Sequence, residues 1–176
     1  TLAKIAVEKA GIIKYNVPVI IGEKQDETDH IFEDIAEQRN APLTFASAYY
    51  SARIDFQTHK YCSYVIRKQG FLFAGPLQLN MYGSFQTKNI VTALHVIDVY
   101  NQNLVFQEPT IYFKTIEKAL INIHELTKFQ GRWQVIHKQP LAICDSAHNE
   151  SGILAVCDEL NKMDFHKLHF VFGAVN

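Results

Sequence analysis

The run Ile143-Cys144-Asp145-Ser146-Ala147-His148-Asn149-Glu150-Ser151-Gly152 constrains the fold more than any other stretch of the chain. Apolar residues stop in a tight polar turn, and a helical pattern follows at once. A strand that ends this way sets an acid, an imidazole and an amide at the carboxyl edge of a sheet, where open α/β folds bind ligands. Three other polar motifs precede it in order: Glu-Lys-Ala-Gly-Ile-Ile-Lys at 8–14, Gln-Thr-Lys-Asn at 86–89 and Gly-Arg-Trp at 131–133.

The elements around these motifs follow from periodicity. Residues 2–10 predict a helix ending at Gly11, a residue suited to the C′ position. A short apolar strand is expected at 17–22, and an amphipathic helix at 28–39 with Ile31, Ile35 and Ala36 on one face. Another short strand is expected at 43–45. From 51 to 79 polar residues alternate with Ile54, Phe56, Tyr61, Tyr64, Ile66, Phe71 and Phe73. With turns at Lys68-Gln69-Gly70 and Ala74-Gly75-Pro76, this predicts an antiparallel meander, a small β subdomain. Ile90, Leu94 and Ile97 mark a helix over 84–102, and a second is expected over 110–125 after Pro109. Residues 128–131 read as a connection. Beyond it the order is strand (132–137), turn at Pro140, strand (141–145), helix (150–161) and strand (168–172). This is the opening of a parallel α/β domain, broken off after about one βαβ unit. Residues 1–130 and 131–176 are thus expected to belong to two different domains.

Composition excludes several classes of function. The 48% hydrophobic and 20% charged residues are those of a soluble globular chain with a real core. A formal net charge of −1 gives no electrostatic case for nucleic acid or an anionic membrane. No apolar run approaches the ~20 residues that span a bilayer. Cys62, Cys144 and Cys157 are expected as reduced, buried thiols, which fits a cytoplasmic protein. No Cys-x-x-Cys pair supports structural zinc. The start, Thr1-Leu2-Ala3-Lys4, has neither Met nor a signal pattern and reads as an entry in mid-chain. Oligomeric state is not legible.

Each candidate residue has a plain structural reading beside a functional one. Lys9, near a helix end, is a cation suited to the helix dipole. Gln86 and Asn89, three apart, project from one face; their amides suit the edge of a purine but also suit capping. Arg132 sits where a guanidinium reaches a phosphate as one domain closes on the other, or forms a surface ion pair. Asp145 is placed to accept hydrogen bonds from ribose hydroxyls, and His148 to donate to a phosphate. The plain alternative is an Asx turn, with Ser146 or Asn149 as an N-cap. The remaining histidines show no metal-ligand spacing.

The ordered set resembles folylpolyglutamate synthase/dihydrofolate synthase, a family related to the Mur ligases. The motifs that carry the resemblance are Ile5-Ala6-Val7-Glu8-Lys9-Ala10-Gly11-Ile12-Ile13-Lys14, Phe85-Gln86-Thr87-Lys88-Asn89, Gly131-Arg132-Trp133-Gln134 and Asp145-Ser146-Ala147-His148-Asn149. The resemblance implies the C-terminal part of a central ATPase domain, parallel α/β plus a small antiparallel β subdomain, followed by the start of a Rossmann-like C-terminal domain. It implies an ATP- and Mg²⁺-dependent ligase of folate biosynthesis and one-carbon metabolism. Such an enzyme adds L-glutamate to dihydropteroate or to the γ-carboxylate of a tetrahydrofolate through an acyl phosphate. By matching positions, Lys9 is a carbamate ligand to Mg²⁺, Gln86 and Asn89 face adenine, Arg132 contacts phosphate, Asp145 holds ribose and His148 lies near the phosphates.

Family members often carry Gly at the position of Ser146, His at Phe85 and Pro at Gln130. No Gly-x-x-x-x-Gly-Lys-[Ser/Thr] loop occurs in the chain. The sequence therefore reads as an internal stretch of such a ligase, expected to be inactive alone and to bind ATP poorly. Two other readings stay open: a Mur-type ligase of peptidoglycan precursors, and a non-catalytic nucleotide-binding module.

Overall fold

The computed structural model describes residues 1–58, 61–104 and 108–173. Helix α1 (Leu2–Ala10) starts at Thr1, whose hydroxyl accepts a hydrogen bond from the Lys4 amide. Gly11 closes it by donating its N–H to Val7 and Glu8 carbonyls, but its φ is −57°, so the chain keeps turning in the right-handed sense. The left-handed residue comes later, at Asn16 (φ 59°), whose N–H reaches the Arg39 carbonyl at 3.0 Å. The C′ geometry anticipated at Gly11 is thus displaced to a residue whose tertiary hydrogen bond holds it.

Strand β1 (Val19–Ile21) leads through α2 (Asp29–Gln38) to β2 (Leu43–Phe45), and the two strands pair in parallel with Val19 opposite Leu43. Ala10, Ile13, Ala36 and Ala41 form a buried cluster where α1 meets α2. Small residues there let the two helices approach closely. The short helix α3 (Ala46–Tyr49) was not legible in the sequence; four residues carry no periodicity.

The expected meander is present: β3 (Tyr50–Gln57), β4 (Cys62–Lys68) and β5 (Phe71–Leu79), antiparallel in that order. Gln69 (φ 48°) and Gly70 (φ 83°) make the two-residue turn between β4 and β5. Both central residues left-handed is the geometry whose twist matches the flanking strands. Ala74-Gly75-Pro76, expected to turn, instead lies inside β5, beside the register shifts between Tyr64 and Arg67 of β4. Proline is tolerated there because, among the described residues, β5 is the edge strand of its sheet, with no further neighbour to take a backbone N–H.

One face of the meander packs on α4 (Gln86–Gln102). Tyr64, Ile66, Leu77 and Leu79 meet Ile90, Val91 and Leu94 in the main core. Full burial of each such aliphatic side chain contributes roughly 1.5–3 kcal/mol. Polar ties add specificity. The Tyr50 hydroxyl donates to Asp98 at 2.8 Å, and His95 Nε2 meets Thr44 Oγ1 at 2.9 Å, so α4 is fastened to both sheets.

The helix anticipated over 110–125 is two: α5 (Phe113–Ile121) and α6 (Ile123–Thr127). Asn101 bonds both the N–H and the C=O of Ile111 at 2.9 Å, which keeps 110–112 out of the helix. Asn122 donates to the Lys118 carbonyl at 2.9 Å, the local competition by which Asn ends helices.

Beyond Lys128 (φ 54°), β6 (Gln134–Lys138) and β7 (Leu141–Cys144) form an antiparallel hairpin, followed by α7 (Glu150–Leu160). The strand expected at 168–172 does not form. Leu168, Phe170, Val171 and Phe172 are exposed, and the segment pairs with none of the described strands. A strand without a partner leaves its backbone to water. Two of the thiols also depart from expectation: Cys62 is buried, whereas Cys144 and Cys157 are exposed. No helix among the described residues is long and apolar enough to cross a membrane.

Candidate functional site

Asp145 follows directly on β7, and both its carboxylate oxygens are engaged. Oδ1 accepts from the Ala147 N–H at 2.8 Å and Oδ2 from the Trp133 N–H at 2.7 Å. The first bond is an Asx turn, the plain structural reading of this motif; the second ties the turn back to the entry of β6. Trp133 adopts φ 45°, a conformation that bulky residues rarely hold. Its backbone bond to Asp145 and its ring, stacked on Tyr82 at 5.0 Å, keep it there.

The rest of the 131–134 loop is sewn to the same turn. The Ser146 N–H and hydroxyl both donate to the Gly131 carbonyl at 2.8 Å. Gly131 (φ 73°) donates its own N–H to Gln134 Oε1 at 3.0 Å. The Arg132 guanidinium bonds Ser146 Oγ, so it folds back on its own turn. His148 is exposed, and its Nδ1 lies 3.1 Å from the Ser146 carbonyl. Since a carbonyl only accepts, Nδ1 carries the proton in that bond and Nε2 is the free ring atom. Asn149 caps α7 by accepting from the Gly152 N–H at 2.8 Å.

The second part of the site is the start of α4. Gly83 (φ 111°) turns the chain beneath Phe85, whose ring stands where a Cβ on Gly83 would have to be, 2.3 Å away. Gln86 is buried and accepts from Asn89 Nδ2 at 2.8 Å, so the two amides form one unit on one face, with Asn89 exposed.

These two parts meet through other residues. Tyr82 stacks on Trp133, and Ser84 bonds Glu159 of α7. Asp145 therefore connects to the start of α4 through Trp133 and Tyr82, while Gln86 and Asn89 make their hydrogen bond with each other. Lys9 lies exposed in the last turn of α1, against α2, and no hydrogen bond or ion pair links it to the other five candidates. A groove of about 1260 Å³ is lined by Tyr82, Trp133, Phe129, Leu141 and Met163 among others and includes none of the six.

Glu159 was missed by sequence reasoning. It is fully buried, and four donors surround it. Burial alone would push its carboxyl up; the Lys162 ammonium and two hydrogen bonds from Ser84 outweigh that and hold it at about 2, below the ordinary 4.5. The available signal was a carboxylate on the same helical face as Ala155 and Val156, where α7 otherwise shows small and apolar residues.

Magnesium takes about six oxygen ligands. Lys9 as a carbamate would supply at most two, and the described residues hold no cluster of three or more His, Cys, Asp or Glu able to bind a metal. These residues alone do not make the ion's site.

No family model matches the chain. A probable bifunctional folylpolyglutamate synthase/dihydropteroate synthase of Haloferax volcanii is 22% identical over 179 residues, covering 100% of this chain and 20% of that protein. The dihydrofolate synthase/folylpolyglutamate synthase of Bacillus subtilis is 23% identical over 186 residues, covering 99% of this chain and 39% of that protein. Among solved structures, an FPGS–AMPPCP–folate complex superposes with a TM-score of 0.79 at 22% identity, over 95% of this chain and 38% of that one. The chain thus spans between a fifth and two fifths of the length of the curated relatives it matches. Over that stretch it is similar, in sequence and in fold, to the folylpolyglutamate/dihydrofolate synthases its motifs resemble.

Proposed function

We propose that this chain supplies nucleotide-facing parts of an ATP-dependent ligase that adds L-glutamate to dihydropteroate or to a tetrahydrofolate. What carries the reading is a conjunction. The four motifs occur in the family's order, and the acid, imidazole and guanidinium of two of them converge on one turn at the end of β7. The named activities of the relatives and the ATP analogue and folate in the similar complex support it.

In this reading Gln86 and Asn89 present paired amides to adenine. Asp145 keeps lone pairs beyond its two backbone bonds for ribose hydroxyls. Arg132 takes phosphate oxygens, its guanidinium exchanging Ser146 for the stronger charged acceptor, and His148 joins it by donating from Nε2 in the imidazolium form, with both ring nitrogens protonated. ATP transfers its γ-phosphoryl group to the substrate carboxylate, giving an acyl phosphate and ADP. The glutamate amine attacks the acyl carbon, a proton leaves the nitrogen, and phosphate departs as the amide forms. Lys9 is assigned the carbamate role by position alone, and no step here depends on it.

The test is ATP- and glutamate-dependent phosphate release by the protein that carries this chain. It would be run separately with dihydropteroate, tetrahydrofolate and a nucleotide-linked muramyl acceptor. Turnover with a pteroate or folate substrate, reduced about 100-fold or more by His148→Ala, is the expected result. Turnover with the muramyl acceptor only would replace the folate reading. ADP or ATP binding without ligation on any acceptor would leave a nucleotide-binding module.

A further inference from the structure

Glu159 belongs to none of the four motifs, yet it is the most completely buried charged side chain among the described residues, at 0% exposure. Its partners come from three places. Oε1 accepts the Ser84 N–H at 2.8 Å and the Ser84 hydroxyl at 2.6 Å. Oε2 accepts Gln57 Nε2, at the end of β3, at 3.3 Å. Lys162, just past α7, meets Oε1 at 2.8 Å. Ser84 and Gln57 stand 75 and 102 residues away in sequence. A buried carboxylate persists only where donors replace water, and here most donors lie across the seam from α7.

The position of Ser84 gives the contact its meaning. It lies two residues before Gln86, in the turn set by Gly83, and α7 follows directly on the Asp145–Asn149 turn. Beside it, Tyr82 stacks on Trp133, whose N–H is held by Asp145. We infer that Glu159 is the latch of this joint: a positioning residue that docks α7 onto the 82–84 turn and so sets Asp145 and His148 relative to Gln86 and Asn89. The joint is the same whether or not the ligase reading holds.

The joint contains its own reporter. Trp133 is the sole tryptophan of the chain and is 4% exposed. Glu159→Gln keeps the shape but removes the charge and turns an amide NH₂ toward groups that are themselves donors. In the whole chain this variant is expected to raise acrylamide quenching of Trp133 about twofold or more and to red-shift its emission. Amide exchange should accelerate at 82–89, while far-UV circular dichroism and protection of β4 stay as in the parent. Ser84→Ala, which removes the hydroxyl bond to Oε1 and leaves those from the Ser84 N–H and Lys162, should give a smaller change in the same direction. If Glu159→Gln loses its structure altogether, Ser84→Ala and Lys162→Met carry the test. Unchanged Trp133 quenching and unchanged 82–89 exchange in variants that remain folded overturn the inference. So does an exchange increase spread evenly over the meander, the mark of a general loss of stability.

Discussion

Acid should loosen the Glu159 joint with a calculable profile. In the folded chain the carboxyl sits at about 2, against an ordinary 4.5 once unfolded. The folded value is depressed, so the associated stability is present above pH ~4.5 and is lost as pH falls toward 2. At neutral pH the difference corresponds to about 3 kcal/mol; by pH 3 about 1 kcal/mol remains. Acid protonates carboxylates other than Glu159 as well, so the parent's acid sensitivity alone decides nothing. The informative quantity is the gap between the parent and Glu159→Gln. Urea unfolding of both, followed by Trp133 fluorescence at pH 7, 4.5 and 3, should show a gap of about 3 kcal/mol that closes by more than half across the series. A gap that stays constant with pH, or is absent at pH 7, refutes the account. Glu159 would then be buried without its charge contributing to the fold.

Two further outcomes follow from local geometry. Asp145→Ala leaves the Trp133 and Ala147 N–H groups without their acceptor and should destabilise the Trp133-reported transition by about 2–3 kcal/mol in urea unfolding, Asp145→Asn by less. An Ala variant as stable as the parent would mean those bonds contribute nothing. Gly83→Ala places a Cβ 2.3 Å from the Phe85 ring at φ 111°, and a thermal melt should show a loss of about 1–3 kcal/mol, relieved in part by adding Phe85→Ala.

The sequence was most readable where periodicity and local chemistry agree. The α2 and α4 helices carry clear apolar faces, and the Gln69-Gly70 turn needs no tertiary help to fix the β4–β5 hairpin. It was least readable where a distant partner decides. Gly11 looks like a helix stop, but Asn16 turns left-handed because Arg39 holds its N–H. Residues 168–172 have strand composition, but pairing is a property of two strands, and this segment joins neither open edge of the β6–β7 hairpin. For the candidate site, the polar turn after β7 was legible as a motif, along with its alternative reading. The structure realises that alternative in the Asx bond from Ala147 and the Asn149 cap. Glu159 escaped because its charge makes sense only beside Ser84, a neighbour that chain order does not reveal.

The double tether on Asp145 has a kinetic and entropic corollary. A free surface aspartate wanders among rotamers and surrenders that freedom whenever it binds something. This one is already fixed by two amides before any visitor arrives. A hydroxyl group docking against it would meet an acceptor aimed in advance, and little ordering would be left for the encounter to supply.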